Sequence, residues 1–268
     1  MSDLLTPRFV YVGIHDALDA IPRLTELGLG IEVMFNSTTD IWPKIKWDVL
    51  LGLADDFAEA ELPVACHGPF YNLAVAGRDA HIAEYSYQSL SAGIEAARVL
   101  GSPLMVFHTG YLPQMPPTSR EKWLTTFCEK LTRLLDVAST NGIVLAMENT
   151  YEPDTTLFEE IFAQVQHPFL GMCFDTGHAA CFATIPPTDW IEKFSEQIVH
   201  LHLSDNDGLS DLHWGLGKGV VNVSTLIGPL LSRGARPSVT FEVSLDEAKA
   251  SSDYLTRSLA ASLPSSHD

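Results

Sequence analysis

The chain has 268 residues, 46% of them hydrophobic and 19% charged, which supports a large core and excludes global disorder. Sixteen Lys and Arg against 34 Asp and Glu give a formal charge of −18. That balance argues against a broad nucleic-acid-binding surface, because gripping phosphates takes Lys and Arg that displace counterions. The opening MSDLLTPRFVYVG has no basic segment followed by an apolar one, and nowhere does an apolar run reach the length of a membrane span. Neither a signal peptide nor a membrane segment is expected, and the expected location is cytoplasmic.

Strand and helix signals alternate along the chain. FVYVGIH (9–15) and GIEVMF (30–35) read as the first two strands, and Trp47–Ala60 has helical periodicity. PVACHG (63–68) is followed by the long connector GPFYNLAVAGRD and a helix over Ala80–Leu100. PLMVFHTG (103–110) leads through TGYLPQMPPTSR to a helix over Arg120–Ser139. IVLAMEN (143–149) and FLGMCFDTG (169–177) are strands five and six, and Thr188 and Asp189 start a last helical turn before IVHLHLSD (198–205). Helices over Thr225–Ser232 and Leu245–Leu263 flank the eighth strand, PSVTFEV (237–243), and the tail SLPSSHD is expected to fray.

Nearly continuous apolar strands mark a parallel sheet covered on both faces. The helix-to-strand links (LGLG, ELP, GSP, NG, QHP, RGARP) are short, whereas several strand-to-helix links are long. Eight strands with elaborate loops after their C-terminal ends describe an α/β chain folded as a (β/α)8 TIM barrel, one domain over residues 1–268. The rival is a doubly wound open sheet. It calls for a Gly-rich first turn, where this chain has HDALDA. Cys66, Cys128, Cys173 and Cys181 form no CxxC pair and read as free thiols of a reducing compartment.

The chemistry-bearing residues sit at the strand ends. Strand three ends in His67, strand four in His108 and strand five in Glu148. Strand six ends in Asp175, with His178 three residues on; strand seven carries His202, and strand eight carries Glu242. A lone strand His is most often a core residue with a satisfied hydrogen bond. Six successive strands each presenting a metal-ligand type at one end of a barrel fit a metal site better, since a buried ionisable group is costly unless paired or metal-bound. Carboxylates and imidazoles without thiolates suit Mn²⁺, Zn²⁺, Mg²⁺, Co²⁺ or Fe²⁺. Glu148, Asp175, His202 and Glu242 can surround one ion. His200 shares the face of His202 one layer deeper and reads as a core or supporting His. Glu32 is either a supporting residue or a buried barrel charge.

The stretch HLHLSDNDGLSDLHWGLGKG (200–219) adds Asp211 and His213. It fits no other metal or phosphate motif: an EF-hand aligned on Gly208 lacks its terminal acids, and a P-loop needs Ser or Thr where Gly219 follows Lys218.

With MENT, CFDTGHA, HLHLSDNDG, DLHWGLGKG and FEV, the chain resembles the xylose-isomerase-like TIM-barrel superfamily. This superfamily joins sugar isomerases and epimerases with endonuclease IV-type AP endonucleases (AP endonuclease family 2). The resemblance runs from GIEVMF to TFEV. It implies one divalent ion on Glu148, Asp175, His202 and Glu242, with Glu148 and Glu242 also acting as acid and base. Its nuclease branch implies three Zn²⁺, with His67, His108, His178, Asp211 and His213 as further ligands. The acidic charge and the absence of a Gly-rich start after strand one lean toward the isomerase branch. The expected reaction is then proton transfer next to a carbonyl of a sugar or hydroxy-keto acid, through a metal-stabilised enediolate. A related lyase or dehydratase, the trinuclear phosphodiesterase and a non-catalytic binder stay open. On the isomerase reading His67, His108 and His178 are candidate hydroxyl binders, and Phe70 and Trp214 a candidate apolar wall. Lys218 and Arg78 are the candidate phosphate contacts, each read more readily as a surface charge, so an unphosphorylated small sugar-like substrate is the expected partner. The Pro-rich loop Tyr111–Ser119 is a candidate lid or a static loop, and homo-oligomerisation is left open.

Overall fold

The computed structural model describes residues 5–36 and 46–262; the tail beyond Ser262, where fraying is expected, lies outside them. In chain order the elements are β1 (Arg8–Gly13), α1 (Ala17–Leu27), β2 (Gly30–Met34), α2 (Trp47–Glu59), β3 (Val64–His67), α3 (Ala80–Val99), β4 (Leu104–His108) and α4 (Pro117–Asn141). They continue with β5 (Val144–Glu148), α5 (Thr156–Gln164), β6 (Leu170–Asp175), α6 (Thr176–Phe182), α7 (Pro187–Phe194), β7 (Ile198–Leu203), α8 (Val223–Ser232), β8 (Ser238–Phe241) and α9 (Leu245–Ser262). All eight strands pair in parallel in chain order, and β1 closes on β8 through Arg8↔Val239, Phe9↔Thr240 and Val10↔Phe241. Closure removes both sheet edges and rules out the doubly wound alternative.

Three helices lack a clear sequence signal. α1 carries Pro22 and follows β1 after a single 3₁₀ turn, so it has no flanking loop to announce it. α5 is nine residues long. α6 starts where β6 ends: the Asp175 carboxylate accepts a hydrogen bond from the His178 amide at 2.6 Å and caps the helix. For that reason the apolar run FLGMCFDTG overshoots β6 by two residues. The other strands are likewise shorter than their apolar runs, so Glu242 stands one residue past β8. Among the described residues no helix is long and apolar enough to cross a membrane.

The core has two parts. The large one lies between strands and helices and takes in Phe35, Phe57, Phe127, Phe158, Trp190 and Phe241. The small one is Leu104, Val106, Ala146 and Cys173, from adjacent strands β4, β5 and β6. Strand alternation places these on the same face as His108, Glu148 and Asp175, which is the barrel interior. On the opposite side the interior is polar: Glu32, His200 and Thr240 are all fully buried.

The loop after β7 is built on Asp205, which is 0% exposed. Its two carboxylate oxygens accept hydrogen bonds from the backbone amides of Asn206, Gly217, Gly219 and Val221 at 2.8–3.0 Å. Asp205 also exchanges both backbone hydrogen bonds with Trp214. Gly219 is obligatory, because a Cβ there would overlap the Asn206 carbonyl and Asp205 Oδ1. The sequence GLGKG is therefore the cradle of a buried carboxylate rather than a phosphate loop. Asp205→Asn turns one acceptor oxygen into a donor facing amide donors; at roughly 1–3 kcal/mol per orphaned buried group, it should cost about 2–5 kcal/mol in urea denaturation and open residues 206–221 to proteolysis.

Candidate active site

The strand ends converge on Glu148, which is 1% exposed. Its Oε2 lies 3.1 Å from His67 Nε2 and 2.9 Å from His108 Nε2; its Oε1 lies 3.2 Å from both His178 Nδ1 and His202 Nδ1. Burial drives this carboxyl's pKa up, but the charges of His202 and His108 and the hydrogen bonds from the imidazoles prevail and hold it well below the usual range.

A second convergence centres on His202 Nδ1. Glu148 Oε1 stands at 3.2 Å, Glu242 Oε1 at 3.3 Å and Asp175 Oδ2 at 3.8 Å. These four side chains come from the ends of β5 to β8 and are all buried. Asn149 ties β5 to β6 by bonding both the amide and the carbonyl of Asp175. With Asp175 Oδ1 committed to the cap of α6, Oδ2 is buried and has no hydrogen-bond partner. Burial, reinforced by the charges of Glu242 and Glu148, pushes Asp175 up to about 7.

A third group lies in the loops. Asp211 Oδ2 is 2.9 Å from His213 Nε2 and 3.4 Å from His178 Nε2. Tyr11 packs its ring 5.9 Å from that of His213.

The residues fit a divalent metal, and two observations carry the fit. Asp175 Oδ2 is an orphaned anion oxygen facing two other carboxylates, a place that calls for a cation. The imidazoles are also oriented for ligation. His67 Nδ1 donates to Gly68 O (2.8 Å), His178 Nδ1 to Asn149 O (2.9 Å) and His213 Nδ1 to Glu242 O (3.1 Å). Because a carbonyl only accepts, each of these Nδ1 atoms holds a proton, and each Nε2 is left facing a carboxylate oxygen. That is the arrangement in which a ring's second nitrogen binds metal. Ligand atoms of Glu148, Asp175, His202 and Glu242 lie within 4.8 Å of one another, as do those of His67, His108 and Glu148.

Of the other candidates, Phe70 is well placed: its ring sits 5.2 Å from that of His67 and 5.0 Å from that of His108. Trp214 is 38% exposed and tied by its backbone to Asp205. Lys218 is a surface residue whose ammonium pairs with Glu247, and Arg78 is exposed, so neither offers the buried cation a phosphate pocket needs. The loop after β4 is anchored at its base. Thr109 Oγ1 donates to the buried Glu152 at 2.7 Å and accepts from the Tyr111 amide, and Tyr111 packs 5.2 Å from Trp123. Sequence reasoning did not find Asn149, Glu152 or Asp205. The only signals for them are an amide next to Glu148 in MENT and the glycine spacing of GLGKG.

Burial alone would lower the His213 pKa, but the hydrogen bond to Asp211 and the charges of Glu242, Asp211 and Asp175 raise it to about 9 in the metal-free chain. A raised folded-state value contributes stability that is full below about 6.5 and disappears as pH rises through about 9. In metal-free protein an NMR titration should therefore find the His213 midpoint near 9, and Asp211→Asn should bring it down toward the ordinary imidazole range.

Residues 24–260 match the family described as Xylose isomerase-like TIM barrel. Among curated relatives, the MJ1311 protein of Methanocaldococcus jannaschii is 27% identical over 223 residues, covering 79% of this chain and 73% of that one. Fructoselysine 3-epimerase of Shigella flexneri is 26% identical over 174 residues, covering 62% of this chain and 61% of that one. Among solved structures, the TTHB071 protein of Thermus thermophilus, soaked with ZnCl2, superimposes with a TM-score of 0.83 at 28% identity, covering 96% of this chain and 99% of that one. With a closed barrel, ligand types at the ends of six successive strands and a family match over most of its length, the chain belongs to the xylose isomerase-like TIM barrel family.

Proposed function

We propose that this protein is a divalent-metal-dependent isomerase or epimerase acting on an unphosphorylated ketose or related hydroxy-keto compound. The observation that carries this reading is the pairing of Glu148 and Glu242 around His202 Nδ1, each presenting Oε1 to that nitrogen at 3.2 and 3.3 Å. The likeness to a fructoselysine 3-epimerase and the pairing of Lys218 with Glu247 at the surface, away from any phosphate pocket, support it. A divalent ion on Glu148, Asp175, His202 and Glu242 would supply Lewis-acid polarisation of the substrate's carbonyl and neighbouring hydroxyl. β5 and β8 stand three strands apart in the barrel, so the two glutamates approach a bound sugar from different walls. One carboxylate removes the carbon-bound proton next to the carbonyl, and the other, entering as the carboxylic acid, delivers its own proton to the opposite face, giving the epimer. Were the same carboxylate to move the proton between neighbouring carbons, an aldose–ketose isomerisation would result. His67 and His108 hold substrate hydroxyls against Phe70, which shields one side of the pocket.

A second reading has its own observation. His67 and His108 share Glu148 Oε2, and His178 and His213 face Asp211 Oδ2. These are two further ligand sets, and with the first they would hold three Zn²⁺ for phosphodiester hydrolysis at an abasic site.

Zinc and manganese titration of metal-free protein, followed by native mass spectrometry, separates the two. One ion per chain together with solvent deuterium uptake into a ketose is the expected result. Three tightly held zincs with cleavage of abasic DNA, and no exchange into any ketose, would overturn the epimerase reading. On that reading Glu148→Gln and Glu242→Gln should each lower turnover by about 10²–10⁴-fold, the usual worth of a general acid or base.

A further inference from the structure

Beneath the metal-ligand layer lies a second, fully buried polar layer. Glu32 reaches in from β2, and its carboxylate collects three donors. His202 Nε2 is 3.1 Å from Oε1, His200 Nε2 is 3.0 Å from Oε2, and the Thr240 hydroxyl bonds Oε2. His200 in turn places Nδ1 2.6 Å from Ser238 Oγ. The chain of acceptors sets every proton. Glu32 accepts only, so His202 and His200 each carry hydrogen on Nε2, and the Ser238 hydroxyl donates to His200 Nδ1. His202 Nδ1 then faces Glu148, Glu242 and Asp175. Three donors saturate the carboxylate and fix its plane; burial drives its pKa up, but the charge of His202 and the hydrogen bonds from His200 and His202 prevail and hold it well below the usual range.

We propose that Glu32 is the positioning residue of the metal centre. Bound to Nε2, it fixes the tautomer and ring plane of His202 so that Nδ1 is the nitrogen offered to the metal, while His200, Thr240 and Ser238 hold Glu32 in place. This inference rests on the metal-dependent reading above. A carboxylate behind a ligating imidazole orients the ring and raises its basicity, and losing one costs about 10–100-fold in metal affinity. Glu32 lies on β2 and His202 on β7, so the contact also spans the barrel and leaves the ring no rotational freedom.

The test is zinc affinity, by competition with a chromogenic chelator, combined with ¹⁵N NMR of the histidine rings in metal-free and zinc-loaded protein. In the unsubstituted protein zinc should bind His202 through Nδ1 with a proton retained on Nε2. Zinc on Nε2, or no proton there, would overturn the proposal without any variant. Glu32→Gln should weaken zinc binding about 10–100-fold and shift the ring-nitrogen signals of His202; Glu32→Asp, which keeps the charge, should recover part of the loss. Unchanged affinity and unchanged His202 signals in Glu32→Gln would overturn this inference alone. Failure of the unsubstituted protein to take up zinc or manganese would overturn the metal-dependent reading and this inference with it. If Glu32→Gln does not fold, the Nδ1 assignment in the unsubstituted protein decides.

Discussion

Closing eight strands into a ring forces the carboxylate of Glu148 into a space already occupied by imidazoles, and the site follows from how that crowding is resolved. A carboxylate buried alone would cost several kcal/mol. Here ring nitrogens from β3, β4, α6 and β7 stand within 3.2 Å of its two oxygens. The arrangement is tolerable only because each element brings opposite charge or potential charge. The same nitrogen and oxygen atoms are of the types that bind a divalent ion. Asp175 shows where the compensation stops. Its Oδ1 is satisfied by the cap of α6, and its Oδ2 faces Glu148 and Glu242 with no donor. A buried anion oxygen left without a donor marks a place shaped for a cation that the chain itself does not provide.

Geometry at the mouth is held by groups that do no chemistry. Asn149 locks β5 to β6, Glu152 holds Thr109 at the base of the loop after β4, and Asp205 gathers four amides of the loop after β7. Asp205 is the most consequential of these. It is a buried anion stabilised entirely by backbone dipoles, so the position of Asp211 and His213 depends on a carboxylate that touches neither. Such a loop can change its sequence between anchor points while keeping its path, and the strand-borne ligands are unaffected.

The barrel and the ionisable residues at its strand ends are readable in the sequence for one physical reason. Parallel strands covered on both faces are apolar throughout, so the residue that ends each run, His67, His108, Glu148 or Asp175, stands out against its neighbours. Where the chain passes from strand to helix with no loop, as at Asp175, that contrast is lost: the apolar run continues past the strand and hides the start of α6. Pro22 masks α1 in the same way, since it lies within the helix. Partnerships were not readable at all. Glu32 and His200 are 168 residues apart, and no local pattern says that they meet inside the barrel. Lys218 illustrates the converse: a lone cation in a glycine-rich loop invites a phosphate, and only the fold brings Glu247 to it.

The depth of the polar interior bears on how many metals such a site could hold. Barrel interiors are usually filled with branched apolar side chains. In this chain the β4–β6 side follows that rule with Leu104, Val106, Ala146 and Cys173, while the opposite side replaces it with Glu32, His200, Thr240 and Ser238. A buried polar network is worth its cost only when every member is satisfied, and this one is. Its rigidity passes upward through His202 to the Glu148–Asp175–His202–Glu242 cluster. The set on Asp211 hangs from a loop and lacks any such foundation, and His67 and His108 lean on Glu148 itself. The fold thus invests its rigidity in the Glu148–Asp175–His202–Glu242 position. An ion there would meet a preorganised cage. A cation there would draw on the barrel's own rigidity, whereas one beside Asp211 would depend on the loop after β7.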